Sequence, residues 1–186
     1  MALSKIDVAN MVTGATPVAN GGTGLTSGFV NGVTAFSQWR LTTTFSGDAE
    51  PIASNWEVND TTGYASLGSA MTQSSGIFTF PSTGYWQITF ICTWYLNNSS
   101  KWLEASMQTT TNNSSYAAPS ITYTHITQSE GDTTYATATA QTIFDVTDTA
   151  QCKIKFNSNV NNNSTQTLGS STSNHTGVTF LRLGDT

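Results

Sequence analysis

Charge is the scarcest property of this chain. Lys and Arg number 6 and Asp and Glu 11 among 186 residues, so charged side chains make up 9 % and the formal net charge is −5. A typical globular domain carries about 25 %. Six scattered cations give no basic stripe, which excludes nucleic acid as the partner. Cysteine is almost missing: Cys92 and Cys152 are the only two, too few for a disulfide framework. They read as buried free thiols, with one bridge between neighbouring strands as the other reading. Histidine occurs twice, which leaves little for metal or acid–base chemistry. No stretch approaches the roughly 20 apolar residues of a membrane span, so membrane insertion is not expected. The first eight residues, Met1-Ala2-Leu3-Ser4-Lys5-Ile6-Asp7-Val8, hold no apolar signal-peptide core and carry Asp7 within them. The expectation is a protein made and assembled in a cytoplasm.

The polarity that is present is neutral. Thr 34, Ser 22 and Asn 15 together make 71 of the 186 residues. Threonine and the aromatics (11 %) favour strands, while Ser, Asn and Gly favour turns. A hydrophobic content of 37 % is too high for a wholly disordered chain. At this length one domain buries roughly 70 % of its unfolded surface. The expected fold is all-β.

Residues 1–34 differ from the rest. They contain Val18-Ala19-Asn20-Gly21-Gly22-Thr23-Gly24 and no aromatic before Phe29. Such a segment builds no core of its own and reads as an extended arm that orders on a partner surface. Residues 35–186 read as a single head domain of eight to ten short strands with no convincing helix. Ala35–Leu41 is the first strand, and Gly76–Phe80 a later one, closed by the turn Pro81-Ser82-Thr83-Gly84. The strongest strand runs from Tyr85 to Leu96. One of its faces, with Trp86, Ile88, Phe90, Cys92, Trp94 and Leu96, is apolar throughout. With Phe78, Phe80, Ile154, Phe156 and Phe180 from alternating positions elsewhere, it forms the expected core.

The opposite face of that strand, with Tyr85, Thr89, Ile91 and Tyr95, is too apolar for free solvent and too polar for a core. Such a face suits a protein interface, since tyrosine adds contact area while its hydroxyl finds a partner. In the last strand Leu181 and Leu183 lie opposite Phe180, and apolar residues on both faces suggest burial from both sides. The segments 112–115 and 157–165, rich in Asn and Ser, read as polar loops.

Catalytic constellations are not found. Gly63-Tyr64-Ala65-Ser66-Leu67-Gly68 has the wrong spacing for a nucleophile elbow. His125 falls in a Thr-rich strand and His175 in a polar loop. Cys92 and Cys152 have no nearby Cys or His for zinc. Glu130, Asp132, Asp145 and Asp148 read as solvated turn residues, with calcium ligation as the weaker reading. No cofactor is implied, and the chain is read as a non-enzyme.

The order of these signals resembles the globular head of complement-type proteins, the jelly roll shared with the tumour necrosis factor superfamily. The likeness covers about residues 35–186 and rests on Ala35-Phe36-Ser37, on Gly76–Pro81 followed by Gly84–Phe90, and on Gly177–Leu183. Where the family usually places a Gly-Asp turn, this chain has Thr149-Ala150. The resemblance implies an antiparallel β-sandwich of jelly-roll type, a homotrimer and a binding rather than catalytic role. The trimer would pack through Tyr85, Thr89, Ile91, Tyr95, Leu181 and Leu183.

The arm has its own resemblance. Val18, Asn20, Gly21, Gly22, Thr23 and Gly24 belong to a motif similar to one recurrent in tail-fibre and appendage proteins of tailed bacteriophages. Arm and head together imply a virion surface protein. The arm would dock to other virion proteins, and the trimeric knob would adhere to a host cell-surface glycan or protein with threefold avidity. The alternative, favoured by the lack of room for a long shaft, is a decoration or cement protein on the capsid.

Overall fold

The computed structural model describes residues 33–186. Twelve strands and no helix occur among the described residues: β1 Phe36–Leu41, β2 Phe45–Ser46, β3 Trp56–Val58, β4 Thr72–Ser74, β5 Ile77–Thr79, β6 Gly84–Leu96, β7 Ser100–Thr110, β8 Ala117–Ile126, β9 Thr134–Val146, β10 Lys153–Val160, β11 Gln166–Thr167 and β12 Gly177–Gly184. They form two antiparallel sheets. Five strands make one, in the order β4-β5-β10-β7-β8. The other has seven: β3, β1, β12 and β6 run side by side, β9 pairs β6 along its length, β11 pairs β6 at Trp94 and Tyr95, and β2 pairs β11. This is the antiparallel jelly-roll sandwich expected from the chain, with two differences. There are more strands than eight to ten, and β6 and β9 are long, at 13 residues each.

The core follows from alternation. Trp86, Ile88, Phe90, Cys92, Trp94 and Leu96 all point inward from β6 and are buried. Phe78, Phe80, Ile154, Phe156 and Phe180 meet them from the neighbouring strands, all at most 1 % exposed. Phe156 sits at the centre: its ring lies 5.0 Å from Phe90, 5.4 Å from Phe78 and 5.9 Å from Phe180. β9 contributes only Ala136, Ala138 and Ala140 to the middle of this side. These small side chains bring β9 near β8, where the Gln141 amide donates to Ser120 Oγ at 3.2 Å.

Two tight turns carry backbone signatures. Ser75 and Gly76, between β4 and β5, both have positive φ (50° and 76°), as a two-residue hairpin turn matched to strand twist requires. Glu130 and Gly131 repeat the arrangement (51° and 77°) between β8 and β9, bracketed by the Ser129–Asp132 bridge. Glu130 and Asp132 are therefore turn residues.

The segment 157–165 is not a simple loop. Asn157–Val160 complete β10 against β7, and Asn157 and Ser158 are buried. The Asn157 amide nitrogen and the Ser158 hydroxyl are paired, which favours their burial, while Asn157 Oδ1 has no partner. Asn157 Nδ2 donates to Ser106 Oγ at 3.2 Å, Trp94 Nε1 donates to Ser158 Oγ at 2.8 Å, and Ser158 shares a 2.8 Å bond with Thr167.

Candidate functional site

The outward face of the seven-stranded sheet gathers residues that sequence reading had assigned to an interface. Register sets them in rows. Phe36, Leu181, Gln87 and Ile143 lie across β1, β12, β6 and β9. Gln38, Thr179, Thr89 and Gln141 form the next row, and Gly177, Ile91 and Thr139 the one beyond. Tyr95 pairs with Tyr135 further along, their rings 5.6 Å apart, and the Tyr95 hydroxyl donates to Gln166 Oε1 at 2.7 Å. Tyr85 and Leu183 flank the shift in register near the end of β12.

Much of this face is uncovered in the protomer. Ile143 and Tyr135 are each 62 % exposed, Leu183 51 %, and Tyr85 and Ile91 42 %. Thr89, Tyr95 and Leu181 are half-buried. Hydrophobic side chains thus cluster at both ends of the face, with a threonine and glutamine band between. Leu183 shows that burial of the last strand from both sides is not achieved within one protomer. Phe180 faces the core, while the Leu181–Leu183 side stays open to solvent. The motif residues Val18, Asn20, Gly21, Gly22, Thr23 and Gly24 lie outside the described residues.

One component of this face was not anticipated. Arg40 projects outward from β1 yet is only 2 % exposed. Its guanidinium donates to Glu57 and Asp60, both at 2.6 Å, and to Thr61 at 2.7 Å and Asn59 at 3.1 Å. Glu57 faces it across the β1–β3 pair, and the segment after β3 folds over to supply Asn59, Asp60 and Thr61, so the cation is satisfied by protein groups. The Arg40 and Asp60-Thr61 positions are 20 residues apart in sequence, and nothing local signals the pairing.

The face also holds a hollow of about 40 Å³ beside Ile91, lined by Gln38, Thr89, Asn174 and His175 among others. That volume admits water or the tip of a side chain, not a metabolite. No group of three or more His, Cys, Asp or Glu converges among the described residues.

Cys92 is free and buried, as is Cys152. Burial pushes the Cys92 thiol from 9.0 up to about 12, with hydrogen bonds involving Ser158 and Thr176 pulling it partly back. The thiolate is the nucleophile, so Cys92 is expected to resist a thiol reagent at about pH 8 until the head unfolds. The unfolded chain loses this proton first as pH rises, so stability should fall from about pH 9 toward pH 12. Labelling with and without denaturant checks the first statement, and denaturant melts at rising pH check the second. Native labelling at the unfolded rate would show that the strand opens.

This architecture defines a class: a tumour necrosis factor-like jelly roll. Crystal structures of murine APRIL share it. Those at pH 8.5 and pH 5.0 both superpose with a TM-score of 0.55, at 10 % and 9 % identity, and that at pH 8.0 with 0.52 at 9 %. Each comparison covers 80 % of this chain and 98 % of the APRIL chain. Identity this low shows likeness of fold alone. No protein-family model and no curated protein matches the sequence.

Proposed function

We propose that the chain is a non-enzymatic structural protein of a bacteriophage virion, a homotrimeric tail-fibre or head-fibre knob at the particle surface. The observation that carries this reading is the uncovered face of the seven-stranded sheet. Tyr85, Ile91, Tyr135, Ile143 and Leu183 expose large apolar surface on one side of a tumour necrosis factor-like head. Monomeric proteins rarely leave such patches open. Covering it with two further copies gives each protomer an interface of the mixed aromatic and threonine character already described. The sparse charge of the chain lowers like-charge repulsion across a threefold axis.

In this reading the arm, residues 1–34, docks to other virion proteins through Val18, Asn20, Gly21, Gly22, Thr23 and Gly24. The glycines permit close backbone approach to the docking surface. The head is then held outward to adhere to a host glycan or protein, with three weak contacts adding by avidity. Assembly takes place in the host cytoplasm.

Deletion of residues 1–34 tests the arm. The truncated protein is expected to fold and to assemble as a head, but to be missing from purified particles. A truncated protein that still incorporates places the anchor in the head. Immunogold labelling of particles carrying the full chain then locates it on the tail or on the capsid shell, and uniform coating of the shell would favour the decoration role.

A further inference from the structure

The chain has two arginines, Arg40 and Arg182, and the fold uses them differently. Arg40 is closed off by its acceptors. Arg182 stands near the end of β12, opposite Trp86 at the start of β6, and its side chain is 13 % exposed. The guanidinium is fixed in place by neutral groups. Its Nε donates to the Thr83 carbonyl at 2.9 Å and Nη1 donates to Thr34 Oγ at 3.1 Å. It also lies flat against Gly84, where an added Cβ would stand 2.8 Å from Nε and 2.9 Å from Nη2. Gly84 has a φ of 131°, so any other residue there is strained and would push the guanidinium away.

The only ionic partner of Arg182 among the described residues comes from the solvent side. Nη2 donates to Asp185 Oδ1, and the Asp185 side chain is 90 % exposed. An ion pair held by so exposed a carboxylate is weak and easily exchanged. A guanidinium has five N–H groups. Three are used here, which leaves one on each terminal nitrogen for a further acceptor. Beside Arg182 is an open hollow of about 310 Å³, lined also by Thr34, Ala35, Ser69, Pro81 and Ser82. Its volume is that of a small ligand site and exceeds what a simple anion fills.

We propose that this hollow binds an acidic sugar, its carboxylate taking the place of Asp185 on the Arg182 guanidinium. The inference rests on the adhesive reading above and gives it a site and a ligand class. Asp185 is the protein's own demonstration that a carboxylate reaches this guanidinium from solvent. The planar fork of arginine suits a carboxylate, because both oxygens can accept at once. Thr34, Ser69 and Ser82 bring hydroxyls that both donate and accept, which matches the hydroxyls of a sugar ring. The Thr34 hydroxyl accepts from Arg182 and keeps its own proton to donate. Pro81 offers apolar surface to the C–H face of the ring.

Saturation-transfer NMR on the full chain, titrated with N-acetylneuraminic acid and with glucuronic acid, tests this. At least one acid is expected to bind, with glucose about tenfold weaker or worse, since glucose lacks the charged acceptor. Arg182→Gln should weaken the acid by about tenfold or more. Asp185→Asn is exposed, spares the fold and should tighten binding roughly two- to fivefold by removing the competing carboxylate. An Asp185→Asn protein that binds no tighter than the parent overturns the shared position of the two carboxylates. Inorganic phosphate that competes as well as the acid overturns the sugar and leaves a plain anion site. A chain that binds neutral sugars but neither acid overturns this site and leaves glycan adhesion standing. A chain that binds no sugar of either kind overturns the site together with the glycan branch of the adhesive reading.

Discussion

Phe90→Ala is expected to destabilise the head by roughly 3–5 kcal/mol, the range for truncating a buried phenylalanine. Phe90 is fully buried at the midpoint of β6, flanked in register by Val178 on β12 and Ala140 on β9. Its ring is 5.0 Å from that of Phe156 on the opposite sheet, so the benzyl group bridges the two layers. Removing it leaves a cavity whose walls cannot collapse. Ala140 is already minimal, and Phe156 is held by Phe78, Phe180 and Trp56 on its other sides. For a domain of this size the loss corresponds to a fall in Tm of roughly 10 °C. Thermal denaturation followed by circular dichroism measures it. A variant that melts like the parent would mean that the side chain does not face the core, and the register of β6 would have to be shifted by one residue.

Ile91→Glu, the adjacent position, is expected to do the opposite: spare the fold and abolish assembly. Ile91 is 42 % exposed in the protomer, so a carboxylate there stays hydrated and the sandwich core is untouched. In a trimer packed through this face three carboxylates would be removed from water close to one axis. Each burial costs several kcal/mol, and no cation is free nearby, because Arg40 is engaged with Glu57 and Asp60. Light scattering at about 10 µM should report a parent of three times 19.8 kDa and a variant of one, a loss of binding far exceeding tenfold. The circular dichroism spectrum should not change. A parent that is monomeric at this concentration ends the assembly reading, as does an Ile91→Glu protein that remains trimeric with unchanged melting. The pair of substitutions separates the two faces of one strand.

The inward face of β6 was legible because period-two alternation is a local property. Trp86 to Leu96 need only the pleat to place them on one side. The same holds for Ile154 and Phe156, whereas Gly76, read from the sequence as the start of a strand, is a turn residue beside Ser75. Segment 157–165 shows where local reading fails. Asparagine and serine are scored as loop formers because they are usually solvated, but Asn157 and Ser158 find partners in Ser106, Trp94 and Thr167 from three other strands. Those partners exist only after the sheets have formed. Arg40 was illegible for the same reason, since its acceptors arrive only when β3 pairs with β1 and the segment after β3 folds over the sheet.

The sequence alone determined the β class, the inner face of β6 and the scarcity of charge. All of these depend on residue type and on spacing along the chain. Tertiary structure decided which strands became neighbours, and hence that Phe36, Ile91, Tyr135, Ile143 and Leu183, from four strands, share one open face. The physical reason is that burial and hydrogen-bond satisfaction are properties of surfaces brought together over long sequence separations. No local pattern encodes which surfaces those will be.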